Sequence, residues 1–268
     1  MELSQVKLVV TDMDGTLLNS KGQVSSSFYS LFRELQANNI QFIAASGRQY
    51  FSMVEKLDAI KNDITIIAEN GGITRRGDQE LAKMLLSKDK IDSILPLLRT
   101  IDKTFIVLCG KNKAYIETDD IHFPKLLSEY YTEFNTVSDL SEVTDDEFLK
   151  IAIYHTDSSE DYIYPIVKHL EDQLQIKVSG QNWLDISHHD ANKGFALKQV
   201  QEEFGISENE TMVFGDYNND LEMLNRSYFS YAMANAHPNV KKAARFATKS
   251  NDELGVETIL EQLIAAKK

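Results

Sequence analysis

The stretch Thr11-Asp-Met-Asp-Gly-Thr16, TDMDGT, directly follows the apolar run VKLVV of residues 6–10, and its reading decides how the rest of the chain is organised. An apolar strand is driven to its end and then delivers two carboxylates, Asp12 and Asp14, beside a glycine. Two carboxylates held about 4 Å apart repel by about 4 kcal/mol at an effective dielectric near 20, so a folded chain needs a proton or a cation between them. Such a pair at a strand end points to an α/β protein whose ligand sits where strands finish.

Working outward, further apolar runs stand at IQFIAA (40–45), ITIIA (64–68), TMVF (211–214) and YFSYAM (228–233), most without strict polar alternation. That pattern suits strands covered on both faces, as in a parallel sheet. Between the first two runs, Phe28, Leu31, Phe32 and Leu35 form one apolar helical stripe behind the serines SSS of 25–27, which read as helix-start chemistry. The alternation returns near the C-terminus, where KGFALKQVQEEFG (193–205) reads as a helix ended by Gly205 and ELGVETILEQLIAA (253–266) as a closing helix. The stretch between differs: helix candidates at 88–100, 122–131 and 158–174 alternate with the strand candidates TFIVLC, KAYIET, LKIAIYH, IKVSG and WLDIS. The expected organisation is an α/β core with a parallel sheet from residues 1–82 and 187–268, carrying a smaller α/β unit inserted at 83–186.

Composition narrows the class of function. The 268 residues, at roughly 150 per domain, leave room for one large domain or two modest ones. A hydrophobic fraction of 43% with 26% charged residues is ordinary for a folded globular protein. The net charge of −13 is a poor match for a nucleic-acid backbone or an anionic membrane surface, so any phosphate ligand needs locally concentrated positive charge. The single cysteine, Cys109, excludes an intramolecular disulfide and reads as a small strand residue. With no signal-peptide pattern and no apolar run long enough to span a bilayer, the expectation is a cytoplasmic protein with neither membrane nor nucleic acid as partner.

Strand ends bring four loops together: Asp12 and Asp14 after the first, Ser46, Gly47 and Arg48 after the second, Glu69 and Asn70 after the third, and Asp216 to Asp220 after the strand that follows the insertion. Carboxylate and carbonyl oxygens from Asp12, Asp14 and Asp216 suit Mg²⁺, a hard octahedral ion that keeps waters and takes further oxygens from phosphate. Phosphoryl transfer also needs an in-line nucleophile, donors for the equatorial oxygens and a proton for the leaving alkoxide. Asp12 can attack phosphorus. Asp14 can give and later take the proton. The hydroxyl of Ser46, the amides around Gly47 and the ammonium of Lys193 can hold the phosphoryl oxygens. Ser46 also reads as the N-cap of a helix over YFSMVEKL (50–57).

Taken in order, DMDGT (12–16), ASGR (45–48), NKG (192–194) and GDYNND (215–220) resemble the four motifs of the haloacid dehalogenase (HAD) superfamily, with the α/β insertion between the second and third. The resemblance covers the whole chain. It is nearest to the Cof-type bacterial phosphatases, with TDMDGTLLN, ASGRQY and AENGG similar to their sugar phosphatases. It implies a Rossmann-like core with an inserted α/β cap, and Mg²⁺-dependent hydrolysis of small phosphomonoesters, sugar phosphates above all, through an aspartyl phosphate. By the same resemblance Asp12 is nucleophile and Mg²⁺ ligand, Asp14 is acid and base and binds the metal through its main-chain carbonyl, and Asp216 is the remaining side-chain ligand. Ser46, Gly47, the main chain at Met13, Lys193 and Asn219 hold the phosphoryl group, and Asp220 orients the lysine or the metal's waters. The sequence departs from the commonest pattern at HHDANKG (188–194) and at Tyr217.

Substrate contacts are open between several residues. Arg48 is a surface ion-pair partner or a substrate contact, and Trp183 packs or lines the cleft. Asn70, His188 and His189 are further candidates at the junction of the two units. His188, His189 and Asp190 are all ligand types, but neighbours on a strand point to opposite faces, which argues against one shared ion. Arg76-Gly77-Asp78 reads as a turn before the insertion. Two other functions share the same residues: a sugar phosphomutase, which returns the phosphoryl group to the substrate, and an aspartate-phosphorylated switch protein.

Overall fold

The structure is a computed structural model describing residues 2–268. Strand β1 (Leu8–Asp12) is buried along its whole length, as its unbroken apolar run requires of a strand covered on both faces. Helix α1 (Ser26–Ala37) begins where Ser25 Oγ accepts the Phe28 amide at 3.1 Å, and it turns Phe28, Phe32 and Leu35 into the core. There Phe28 and Phe32 meet Phe42 of β2 (Gln41–Ala45) with ring centres 5.3 and 5.8 Å apart. Burying each such ring contributes about 1.5–3 kcal/mol. Next come α2 (Tyr50–Lys56), β3 (Thr65–Ala68), β4 (Ile73–Arg76) and β5 (Gln79–Lys83).

A second set of elements follows: α3 (Lys88–Leu98), β6 (Thr104–Gly110), β7 (Ala114–Ile116), α4 (Phe123–Leu127), β8 (Phe134–Thr136), β9 (Phe148–His155), α5 (Ser159–Tyr162), α6 (Tyr164–Val167), β10 (Leu174–Val178) and β11 (Trp183–His188). The chain then returns through α7 (Lys193–Phe204), β12 (Thr211–Gly215), α8 (Leu221–Leu224), β13 (Phe229–Ala232), α9 (Pro238–Ala243), β14 (Phe246–Ala247) and α10 (Gly255–Lys267).

These strands make two sheets among the described residues. The first has the order β14-β13-β12-β1-β2-β3-β4-β5, parallel from β14 to β3 and antiparallel at the β4–β5 edge. Its connections run outward from β1 in one direction and from β12 in the other, so the strand order reverses between them. The second sheet, β10-β11-β9-β6-β7-β8, is antiparallel except where β7 meets β8. One of its faces buries Ile91, Leu95 and Leu98 of α3 against Leu108, Ile151 and Ile186. The other carries Cys109, a buried strand residue, with Phe123, Leu127 and Tyr131. No helix among the described residues is long and apolar enough to cross a membrane.

Three local expectations need correction. The helix expected over 158–174 is broken into α5, α6 and a short 3₁₀ turn, because Pro165 lacks the amide that a continuous helix would use there. The helix expected over 122–131 shortens to α4. Ser46 does not cap α2: Gln49 is the N-cap residue, with no side-chain capping bond, and Ser46 Oγ instead accepts the Arg48 amide at 3.1 Å. Arg76-Gly77-Asp78 is a turn, as expected, but one that closes a β4–β5 hairpin whose mixed polar strands carry little periodic signal.

Ser25 ties two distant segments, since besides capping α1 its hydroxyl donates to the buried Glu257 of α10 at 2.5 Å. Ser25→Ala removes the cap and leaves a buried carboxylate short of a donor, with an expected loss of about 1–3 kcal/mol. Equilibrium urea unfolding measures it; a midpoint unchanged from wild type would mean that neither bond contributes.

Candidate active site

The reversal of strand order between β1 and β12 leaves a crevice at their carboxyl ends, and the acidic residues fall into it. Asp12 ends β1. Gly215 ends β12, which puts Asp216 beside it. Gly15 takes φ +76°, and a Cβ built there would lie 2.3 Å from Asp216 Oδ2, so only glycine lets the loop after β1 cross so close to that carboxylate. Lys193 opens α7 behind the N-cap Asn192, whose Oδ1 accepts the Phe195 amide at 2.8 Å.

Lys193 is wholly buried, and its Nζ lies 2.5 Å from Asp12 Oδ1 and 2.8 Å from Asp220 Oδ1. The other oxygen of Asp220 accepts the amides of Asp216 at 2.8 Å and Tyr217 at 3.1 Å. Thr16 Oγ1 donates to Asp216 Oδ1 at 3.1 Å. Asp220 is therefore fully occupied in holding the others in place, whereas Asp12 Oδ2 is buried without any donor.

The charges do not balance within the protein. Asp12, Asp216 and Asp220 place carboxylate oxygens within 4.8 Å of one another, against one ammonium. Burial, only partly offset by Lys193 and reinforced by Asp220, pushes the Asp12 carboxyl up to about 7. Asp216 is pushed up to about 9, first by burial and then by repulsion from Asp12 and Asp220. Burial alone would lower Lys193, but Asp12 and Asp220 outweigh it and keep the ammonium charged. A donor set of carboxylate oxygens, one of them orphaned, with a deficit of positive charge, fits a hard divalent cation.

Asp14 turns away from this cluster. Its carboxylate, 46% exposed, takes a bidentate pair from Arg48, with Nε–Oδ2 and Nη2–Oδ1 both at 2.6 Å. Arg48 is itself 7% exposed, donates to the Glu129 carbonyl and lies over the Tyr130 ring, 4.9 Å from its centre. Arg48 is thus an ion-pair partner, as one of its two readings has it, but a buried one that also lines the cavity.

Asp12, Asp14, Ser46, Gly47, Asp216 and Asn219 line the floor of a cavity of about 460 Å³, roofed by Tyr154 of β9, Trp183 of β11 and Tyr130 from the turn after α4. The Trp183 ring meets those of Tyr154 and Tyr130 edge-on at 5.1 and 5.4 Å. Met13 has its side chain in the core, leaving only its main chain to serve the site. Asn70 sits behind the floor, accepting Asn219 Nδ2 at 2.9 Å. His188 and His189 do not line the cavity, because β11 ends there and the chain turns back toward α7: His188 accepts the Asp190 amide at Nδ1, and His189 is exposed.

The structure adds residues that the sequence reading passed over. Lys150 and Asp185 line the cavity, 2% exposed each, with Glu69 buried against them. Their signal was available: a lysine and an aspartate each interrupt an otherwise apolar strand, in FLKIAIYH and WLDISH.

Comparison with known proteins agrees with this geometry. Residues 9–260 match the model of the haloacid dehalogenase-like hydrolases. The chain is 31% identical over 265 residues to 5-amino-6-(5-phospho-D-ribitylamino)uracil phosphatase YbjI of Escherichia coli, covering 97% of this chain and 96% of that protein. Its fold superposes on SMU.1108c of Streptococcus mutans with a TM-score of 0.91 at 32% identity, over 97% and 99% of the two chains. It also superposes on the HAD subclass IIB sugar phosphatase BT4131 with a TM-score of 0.84 over 96% and 98%, where 20% identity speaks for the fold alone. The chain belongs to the haloacid dehalogenase-like hydrolase family, as one of its phosphatases.

Proposed function

We propose that the protein is a Mg²⁺-dependent phosphatase of small phosphomonoesters, sugar and sugar-alcohol phosphates foremost, in which residues 83–186 act as a cap over a core of 1–82 and 187–268. The observation that carries the reading is Asp12 Oδ2: a buried carboxylate oxygen, free of donors, on a residue at the floor of the cavity. An oxygen so placed is available to attack phosphorus.

In the proposed reaction an Asp12 oxygen bonds to phosphorus as the bond to the substrate's alkoxide breaks, and Asp14 protonates the departing oxygen. Water then attacks the aspartyl phosphate, giving its proton back to Asp14 and releasing inorganic phosphate. Lys193 holds the Asp12 carboxylate, and Asp14, both of whose oxygens accept from Arg48 here, has to leave that pair and take up a proton before it acts as the acid. Ser46, Gly47, Asn219 and the main chain at Met13 are assigned to the phosphoryl oxygens. Mg²⁺, held by the carboxylates of Asp12 and Asp216 and the carbonyl of Asp14, would supply positive charge against the phosphoryl oxygens.

The roof supports a substrate with an apolar face. Tyr130, Tyr154 and Trp183 offer ring surfaces on which the C–H face of a sugar, or a flat group joined to a sugar alcohol, can lie. The E. coli relative is named for a phosphoribityl-amino-uracil, a compound of that kind. A roofed Asp12 leaves little access for a protein partner, which favours the phosphatase over the phosphorylated-switch reading.

Phosphate release from a panel of sugar, sugar-alcohol and nucleotide phosphates tests this directly. Asp12→Asn is expected to lower kcat by more than about 10³-fold. Chelation with EDTA should abolish release and added Mg²⁺ restore it. Isomerised product with little free phosphate would instead establish a mutase. Trp183→Ala is expected to raise KM about 10-fold for the substrates turned over best, with a smaller effect on a minimal ester such as methyl phosphate; an equal effect on both would remove Trp183 from substrate recognition.

A further inference from the structure

The charged residues on the second sheet have no role in the chemistry described so far. Lys150 on β9 pairs across from Ser187, so Asp185 of β11 lies diagonally beside it on the same face. Both point at the first sheet. Lys150 Nζ donates to the Gly47 carbonyl at 2.7 Å and to Asp185 Oδ2 at 3.1 Å. It also lies 2.9 Å from Glu69 Oε2, an ion pair without the alignment of a hydrogen bond.

What Lys150 completes is the pinning of one loop. The turn Glu69-Asn70-Gly71 has positive φ at three successive residues, 52°, 54° and 95°, the first two disfavoured for residues with a side chain. At Gly71 a Cβ would lie 2.5 Å from the Asn192 carbonyl oxygen, so the turn is packed hard against the start of α7. In this shape the Asn70 amide donates to the Ser46 carbonyl at 2.9 Å and the Glu69 amide to the Arg48 carbonyl at 3.0 Å. Lys150 takes the carbonyl between them, that of Gly47. Three consecutive carbonyls are thus each held by a fixed donor. Because C=O and N–H of a trans peptide point in opposite directions, holding the Ser46 carbonyl on the Asn70 amide aims the Gly47 amide the other way, while the Arg48 amide is taken by Ser46 Oγ.

The same cluster orders the Asn219 side chain. Asp185 is an acceptor and binds the Asn70 side-chain NH₂, which leaves the Asn70 oxygen for Asn219 Nδ2. One N–H of Asn219 is used in this way and its second is left for a ligand. We propose that Lys150 and Asp185, acting through Asn70, are positioning residues that orient the Gly47 amide and the Asn219 amide group toward a phosphoryl ligand, so that the phosphate subsite is complete only when the second sheet is seated on the first. This rests on the phosphatase reading for the identity of the ligand.

The test uses full-length protein with Mg²⁺ and inorganic phosphate as the probe, read by calorimetry alongside turnover of a phosphomonoester. Asn70→Gly removes the side-chain link at a position whose backbone glycine adopts freely, and Asp185→Asn removes the acceptor charge while keeping its shape. Each is expected to weaken phosphate binding at least about tenfold with an unfolding temperature near that of wild type, and the double variant to bind no worse than the weaker single one, because the two act in one chain of bonds. Phosphate affinity within about twofold of wild type in both single variants, or losses that multiply in the double, overturns the proposal. A wild type that binds phosphate but hydrolyses no phosphomonoester would refute the phosphatase reading and still leave the positioning decided by the binding data. A wild type that does not bind phosphate would refute both.

Discussion

Three carboxylates, Asp12, Asp216 and Asp220, meet at one sheet edge with a single ammonium among them, and the structure around them is organised by that imbalance. The parallel order that sets β1 beside β12 brings two of them together. Gly15 permits the close crossing over Asp216, and the first turn of α7 delivers Lys193 into the gap. Asp220 spends both oxygens on donors from the protein, which fixes Lys193 and the main chain at Asp216 and leaves Asp12 with one oxygen unsatisfied. Unpaired buried charge is costly enough that such a cluster is stable only as a site awaiting a cation or a proton.

A second lysine does comparable work a short distance away. Lys193 is held between Asp12 and Asp220, all from the first sheet's connections, and Lys150 between Glu69 and Asp185, one from each sheet. The first cluster holds Asp12, the carboxylate proposed to react, and the second joins the two sheets at the loop Ser46–Arg48. Removing the lysine from either would leave buried carboxylates uncompensated, which makes both clusters sensitive to its substitution. The aromatic roof adds no charge, so its shape can vary without disturbing either cluster.

Much of this was legible in the sequence. Unbroken apolar runs identified the parallel strands, because strands covered on both faces have no polar alternation to obscure them. The loops after β1, β2 and β12 could be assembled on paper, because parallel topology puts the carboxyl ends of the strands on one edge. The mixed β4–β5 hairpin escaped notice, since a partly exposed edge strand such as QELAK carries no period. Pro165 broke a helix that the apolar spacing suggested. The pairing of Asp14 with Arg48 and the roles of Lys150, Glu69 and Asp185 depend on how the second sheet sits over the first, which no local pattern encodes, although charges within apolar strands marked two of these residues as exceptional. His188 and His189 show the reverse error: ligand-type residues near a junction attract attention, while the chain turns them away from the cavity.

The proposed reaction requires Asp12 to carry the phosphoryl group. Rapid acid quenching during turnover of a phosphate-labelled substrate, followed by peptide mapping, tests it most directly. Label is expected on the peptide containing Asp12 and absent from the Asp12→Asn protein. Phosphate release by the wild type at a normal rate, with label on another residue or on none, would contradict it.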